Sequence, residues 1–163
     1  MIYKTLYNSP VGLIEISGTE NSVTSLYFID EEFDPKVTSN EYLDKCVEQL
    51  DEYFNGKRKI FELNILPEGT DFQKKVWDEL LKIPFGETRS YMEVTKNLGD
   101  IKAIRAVANA NGQNKISIII PCHRVIGSDG SLTGYGGGLW RKKWLLEHEQ
   151  NFSNTEKQLE LTL

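Results

Sequence analysis

Hydrophobic and polar positions alternate over the first 30 residues and then switch to helical spacing. Ile2–Tyr7, Gly12–Ser17 and Ser22–Ile29 read as three short strands rich in β-branched and aromatic residues. Asn8-Ser9-Pro10 and Gly18-Thr19-Glu20-Asn21 separate them as turns, which predicts an antiparallel meander. Asp30–Pro35 is an acidic loop. From Asn40 to Phe54, Leu43, Cys46, Val47, Leu50 and Phe54 recur three or four residues apart, an amphipathic helix that Asn55-Gly56 stops. Cys46 lies on the apolar stripe, where packing is favoured over reactivity. Lys57-Arg58-Lys59 reads as a solvated loop ahead of a strand over Ile60–Ile65.

Leu66-Pro67-Glu68-Gly69 marks a boundary, giving units over 1–69 and 70–150 and a polar tail over 151–163. Thr70 and Gln73 have the spacing of a capping box before a helix over Asp71–Lys82, which Ile83-Pro84-Phe85-Gly86 breaks. Phe72, Val76 and Leu80 form its stripe, with Trp77 and Leu81 alongside. Ser90 and Glu93 repeat the capping box before a helix of about two turns to Leu98, with Gly99 as a left-handed C-cap. Asp100 then caps a helix over Ile101–Ala110, ending before Asn111-Gly112. Two short helices around a glycine turn form a helix-turn-helix signature, although two helices packed in a bundle share it. The second helix tips the balance. Ala103, Ala106, Ala108 and Ala110 leave it nearly flat, with Arg105 as the one long projection, a shape suited to close approach to a minor groove.

Ile116–Ile120 reads as a short buried strand, ended by Pro121 and followed at once by Cys122 and His123. A thiol beside a potential base is a nucleophile candidate. A free cysteine is also commonly a small buried hydrophobe, and the local pattern leaves both open. Beyond it, Gly127–Gly130 and Gly134–Gly138 flank Leu132 and Tyr135 in a loop that permits close approach of a ligand. A last helix over Leu139–Glu149 carries Trp144, Leu145 and His148.

At 163 residues the chain suits one domain or two small ones. Its net charge of −5 argues against nucleic acid until it is divided. Residues 1–70 hold 6 Lys/Arg against 13 Asp/Glu, whereas residues 71–149 hold 12 against 9. The second half can therefore meet phosphates. Two cysteines in contrasting patterns imply no disulfide framework and a reducing cytoplasm. The expectation is no metal, no cofactor, no membrane span and no signal peptide.

The run Ile120-Pro121-Cys122-His123-Arg124-Val125 resembles the active-site signature of the O6-alkylguanine-DNA alkyltransferases, also called methylated-DNA–protein-cysteine methyltransferases. Phe85-Gly86-Glu87-Thr88 with Ser90-Tyr91, Arg105-Ala106-Val107, Asn114, Gly137-Gly138-Leu139 and Trp144–Glu149 fall in that family's order and spacing. The likeness is strong from about Thr70 to Gln150 and weak before it. It implies an α+β fold: a three-stranded antiparallel, ribonuclease-H-like sheet with a helix, then a mostly helical unit with a winged helix-turn-helix. It implies that Cys122 accepts the alkyl group from O6 of guanine, and by extension O4 of thymine, in a single self-inactivating turnover. His123 would be the base, acting through a water, Glu149 its orienting acid and Tyr91 the proton donor to the departing guanine. Asn114 would brace the turn before the cysteine. Arg105, with Ala106, Ala110, Ser90 and Tyr91, would meet the minor groove of double-stranded DNA while the target base is flipped out. Val125, Tyr135, Gly136, Gly137 and Ser117 would line the pocket, with backbone groups of Cys122, Val125 and Gly136 holding the guanine edge. The protein would be a cytoplasmic monomer.

Ser117 stands where some members have proline, and Gly136 where others have serine or alanine. The zinc ligands of one relative and the cysteine-rich domain of others have no counterpart. Three rivals remain to be weighed. A non-catalytic alkyltransferase-like damage sensor would replace Cys122. A helix-turn-helix transcription factor needs more reading side chains than the alanine-rich helix offers. A cysteine hydrolase built on Cys122, His123 and Glu149 lacks an obvious oxyanion loop.

Overall fold

The computed structural model describes residues 2–30 and 38–162, with side chains through Ser153. Beyond Asp30, the acidic loop therefore lies outside the described residues. The chain divides into two compact units, Met1–Thr70 with Lys115–Ile119, and Asp71–Asn114 with Ile120–Leu163.

In the first unit, β1 (Tyr3–Ser9), β2 (Gly12–Gly18) and β3 (Val23–Ile29) form the expected antiparallel meander in the order β1-β2-β3. β1 runs two residues past the predicted strand end, into the predicted turn, because Asn8 pairs with Leu13 and Ser9 with Gly12. The Ser9 hydroxyl donates to Gly12 O (2.6 Å) and accepts from Val11 N (3.1 Å), so Pro10-Val11 closes the hairpin. Helix α1 (Glu41–Phe54) starts where the Asn40 side chain accepts from Leu43 N at 2.8 Å. It packs on β1 and β2. Leu43, Cys46, Leu50 and Tyr53 are fully buried, as are Ile14, Ile16, Val23 and Leu26 of the sheet. Each buried leucine or isoleucine contributes about 1.5–3 kcal/mol. Cys46 is part of this core, and burial pushes its thiol up to about 12.

Two predicted strands are not strands. Over Ile60–Ile65 only Ile65 forms a bridge, to Val23. The Gln49 side chain explains the rest: it accepts from Glu62 N (2.9 Å) and donates to Glu62 O (3.3 Å), doing the work of a neighbouring strand. Over Ile116–Ile120, Ile116 alone bridges to Leu26, framed by Leu26 N to Lys115 O and Ser117 N to Leu26 O, each 2.8 Å. The backbone then reverses through a three-residue turn in which Ile119 N donates to Ser117 O (2.8 Å) and Ile118 takes φ +71°. That conformation costs a β-branched residue about 1–3 kcal/mol, and it is held by burial of Ile116 and Ile118.

In the second unit, α2 (Asp71–Leu80), α3 (Tyr91–Asn97) and α4 (Ile104–Gly112) pack together. The capping box at Ser90 and Glu93 forms as the sequence predicts. Gly99, at φ +97°, makes the left-handed turn that a side chain would strain, and Asp100 caps a single 3-10 turn over Ile101–Ala103. α4 continues to Gly112, so Asn111 lies inside the helix rather than after it; it is 2% exposed. Trp77 Nε1 donates to Ala110 O at 2.9 Å and ties α2 to α4. β4 (Arg89–Ser90) runs parallel to β5 (Val125–Ile126), setting the start of α3 beside the segment that follows Cys122. α5 (Leu139–Thr162) carries on well past Glu149, where the pattern predicts an end, because no glycine or proline interrupts 150–162. Among the described residues no helix is long and apolar enough to cross a membrane.

Candidate active site

Cys122 sits at a double bend. Pro121, at φ −81° and ψ 61°, makes a three-residue turn closed by Cys122 N to Ile120 O (2.8 Å). A 3-10 turn over Cys122–Arg124 follows at once. The thiol is thus presented by consecutive turns, not by the end of a strand, and Cys122 is 5% exposed. Asn114 holds this bend from outside: its Nδ2 donates to Ile120 O at 2.8 Å, and its side chain also hydrogen-bonds the thiol. Burial pushes the Cys122 thiol up, against the pull of the Asn114 hydrogen bond and the Lys142 charge. The resting sulfur is a thiol, not a thiolate.

His123 is fully buried. Its Nε2 lies 2.7 Å from Glu149 Oε2, and its Nδ1 has no protein partner among the described residues. A carboxylate only accepts, so Nε2 carries the proton and Nδ1 presents a lone pair. Burial lowers the imidazole from its usual value, opposed by Glu149 and assisted by the charge of Arg124. Arg124 grips the same carboxylate through Nε to Oε1 (2.7 Å) and Nη2 to Oε2 (3.1 Å), and it donates from Nη1 to Ile83 O (2.7 Å). Gly86 N adds a bond to Oε1 at 3.3 Å. Burial alone would raise Glu149, but His123 and then Arg124 hold it well below the usual carboxylate range. The outcome is a neutral imidazole beside an ionised carboxylate.

Tyr91 opens α3, and its hydroxyl donates to Thr133 O at 3.0 Å. The same carbonyl accepts from Lys142 Nζ at 2.9 Å, and Lys142 also donates to Val125 O at 2.6 Å. Lys142 is fully buried, and burial pushes its ammonium down to about 8. Burial raises Tyr91, so it stays protonated.

The second unit thus brings together Cys122, His123, Glu149, Tyr91 and Asn114, all named by the sequence. Val125 is fully buried beside them. Tyr135 and Gly137 are half-buried and Gly136 is exposed; Gly138 N donates to Tyr135 O (2.9 Å) and Arg141 to Gly137 O (3.1 Å). Arg105 and Ala106 are exposed on α4, and Ser90 is committed as a helix cap. Ala110 is 2% exposed and occupied with Trp77, so it is not part of the open face of α4. Ser117 belongs to the sheet unit, with its amide on Leu26 O. Sequence reasoning assigned no part to Arg124, Lys142 or Asn111. Lys142 left one signal: it is spaced three and seven residues before Leu145 and Glu149, on the buried face of α5. Among the described residues no cluster of His, Cys, Asp or Glu is placed to hold a metal ion.

A helix-turn-helix unit built around a buried cysteine, joined in one chain to a sheet-and-helix unit, defines an α+β protein of two parts. The family model described as "6-O-methylguanine DNA methyltransferase, DNA binding domain" matches residues 71–151, and its "ribonuclease-like domain" matches 2–67. The methylated-DNA–protein-cysteine methyltransferase of Methanosarcina barkeri is 44% identical, over 92% of this chain and 98% of its own. That of Mycobacterium bovis is also 44% identical, over 93% and 94%. The crystal structure of Mycobacterium tuberculosis O6-methylguanine methyltransferase superposes with a TM-score of 0.84 at 42% identity, covering 93% of this chain and 94% of that one. A structure of the same organism's protein in complex with DNA gives 0.83 at 43% identity, covering 90% and 92%. The chain belongs to the 6-O-methylguanine DNA methyltransferase family.

Proposed function

We propose that this protein repairs DNA by moving the alkyl group from O6 of guanine to Cys122 and is consumed in doing so. The observation that carries the reading is the neutral His123: Nε2 is committed to Glu149, while Nδ1 is buried and without a protein partner next to the thiol in sequence. A water bridging Nδ1 to the sulfur would satisfy that atom and carry the thiol proton to the imidazole. The sulfur then attacks the alkyl carbon, the carbon–O6 bond breaks, and the departing guanine takes the Tyr91 proton. The buried Lys142 ammonium offsets negative charge on sulfur and phenolate. A thioether has no route back to thiol here, so one turnover follows. O4-alkylthymine is open to the same displacement.

Double-stranded DNA is the partner. The target base must leave the stack to reach a thiol that is 5% exposed. α4 supports minor-groove docking, because Arg105, Ala106 and Ala108 are exposed on a nearly flat surface and Arg105 can fill the emptied stack. Intact mass spectrometry after incubation with a duplex carrying O6-methylguanine should show one methyl group, mapped to Cys122. An adduct that persists in Cys122→Ala would refute the assignment.

A further inference from the structure

Two buried acceptors beside Cys122 have no protein partner among the described residues. One is His123 Nδ1, which takes the thiol proton in the reaction proposed above. The other is Oδ1 of Asn111, in the last turn of α4, the helix that carries Arg105. Asn111 is 2% exposed, and its Nδ2 donates to Cys122 O at 3.4 Å. That carbonyl can only accept, so the nitrogen faces it and the orientation of the amide is settled. Oδ1 lies about 2.2 Å from Nδ2 within the planar amide, hence about 4–5.5 Å from Cys122 O. A buried acceptor without a donor is unfavourable, and an alkyl side chain of the same bulk would avoid it. Donors near the end of α4 serve other acceptors: Trp77 bonds Ala110 O and Asn114 bonds Ile120 O. The donor for Oδ1 must then arrive with the substrate.

The geometry points to Asn111 as a specificity-determining residue: its Oδ1 and the carbonyl of Cys122 form a fork of two oxygens that takes the exocyclic amine of a flipped guanine. This rests on the alkyl-transfer reading above and adds what marks the base as guanine. Alkylation at O6 removes the hydrogen from guanine N1, so N1, N3 and N7 all accept and the amine at C2 is the one donor on the base. An NH2 group that gives each hydrogen to a separate oxygen, at about 2.9 Å, joins acceptors about 5 Å apart. Cys122 O and Asn111 Oδ1 have that spacing. The carbonyl has a second lone pair, so it accepts the amine while keeping Asn111 Nδ2. On the other side of the site, Val125 O already accepts from Lys142 Nζ at 2.6 Å. O4-alkylthymine brings no N–H to the fork, because its N3 and O2 only accept. The fork therefore favours guanine over thymine.

The test removes the amine from the substrate and the oxygen from the protein, separately and together. Matched duplexes carry O6-methylguanine or O6-methylhypoxanthine, which differ only in the 2-amino group. In single-turnover methyl transfer the wild type should prefer O6-methylguanine by roughly 5- to 100-fold, the range for leaving a buried acceptor unmatched. Asn111→Leu keeps the bulk and removes Oδ1, and its preference should fall to within about twofold. Loss of the Nδ2 bond to Cys122 slows both substrates alike and cancels from the ratio. A wild type with no preference, or an Asn111→Leu protein that keeps it, would overturn the inference. A water held permanently on Oδ1 gives the second of these results. A wild type that transfers from neither duplex would instead reject the underlying reading. Thiol labelling of the buried Cys46 reports misfolding. Should Asn111→Leu misfold, Asn111→Met, unbranched and adaptable, carries the same expectation.

Discussion

Replacing Arg124 by methionine tests whether His123, the proposed base, is kept neutral by its surroundings. The guanidinium makes three short bonds, at 2.7, 3.1 and 2.7 Å, two of them to a carboxylate that is 1% exposed. Its loss leaves Glu149 held by His123 and by Gly86 N at 3.3 Å. Breaking a buried pair by removing one partner costs about 3–5 kcal/mol. In a chain of this size that lowers Tm by roughly 6–20 °C. The chemical effect is more telling. With Arg124 gone, His123 becomes the nearest cation-forming group to Glu149, and the Arg124 charge no longer holds the imidazole down. Its pKa therefore rises, Nδ1 gains a proton, and it cannot accept one from the thiol. Single-turnover methyl transfer near pH 7 should fall by at least about tenfold, the equivalent of one pKa unit, and recover as pH rises above the new value. Arg124→Lys keeps the charge but loses the two-pronged geometry, and should lie between. Thermal unfolding and a quench-flow pH–rate profile on the same preparations check both effects. A variant with wild-type Tm and an unshifted profile would refute the account.

Acid stability offers a second check. His123 is lowered from 6.5 in the folded protein, so the unfolded chain binds the extra proton as pH falls through 6.5. Stability is complete above that value and declines below it, by at most about 1.4 kcal/mol per pH unit; Glu149, lowered from 4.5, adds its own loss only below 4.5. Urea unfolding between pH 7 and 5 should slope in the wild type and flatten in His123→Gln. Gly86→Ala meets φ +81° and puts its Cβ 2.0 Å from Ser153 Oγ; it should destabilise by more than about 1 kcal/mol, and Ser153→Gly should restore part of that in thermal melts. Lys142→Met removes a charge that supports the thiolate. At pH 7 it should slow iodoacetamide labelling of Cys122 by about tenfold, one pKa unit, and no slowing would rule the ammonium out as a thiolate support.

What the sequence made legible was what a short window contains. The meander, α1 with its Asn40 cap, and the Ser90–Glu93 capping box each depend on neighbours within a few residues. The failures share another cause. A strand needs a partner strand, and composition cannot show that Gln49 takes that place for Glu62. Nor can it show that Ile118, a β-branched residue, is bent to φ +71°. At the site, the resemblance names Cys122, His123 and Glu149, and the second unit holds all three, with His123 on Glu149. Arg124 stood in the quoted run without a role, because its partner lies 25 residues on. Asn111-Gly112 has the pattern of a helix stop, whereas the burial of Asn111 inside the helix follows from the packing of α4.

The electrostatics of the second unit bear on selectivity as well as rate. A raised thiol beside a lowered imidazole is the reverse of the ion pair that makes a cysteine reactive at rest. Such a sulfur is slow toward casual electrophiles, since the thiolate appears only when the proton can move to Nδ1 during the displacement. The proposed acid is equally reserved, because the Tyr91 hydrogen is given to Thr133 O until another acceptor displaces that carbonyl. In the proposed reaction an alkylated guanine would supply both triggers, an electrophilic carbon for the sulfur and a developing anion for the tyrosine. Under the proposed single-turnover transfer, chemistry gated at both ends would keep Cys122 for the lesion. It follows that Tyr91→Phe should slow transfer from O6-methylguanine while sparing iodoacetamide labelling of Cys122, and equal slowing of the two would remove the basis for a gated acid.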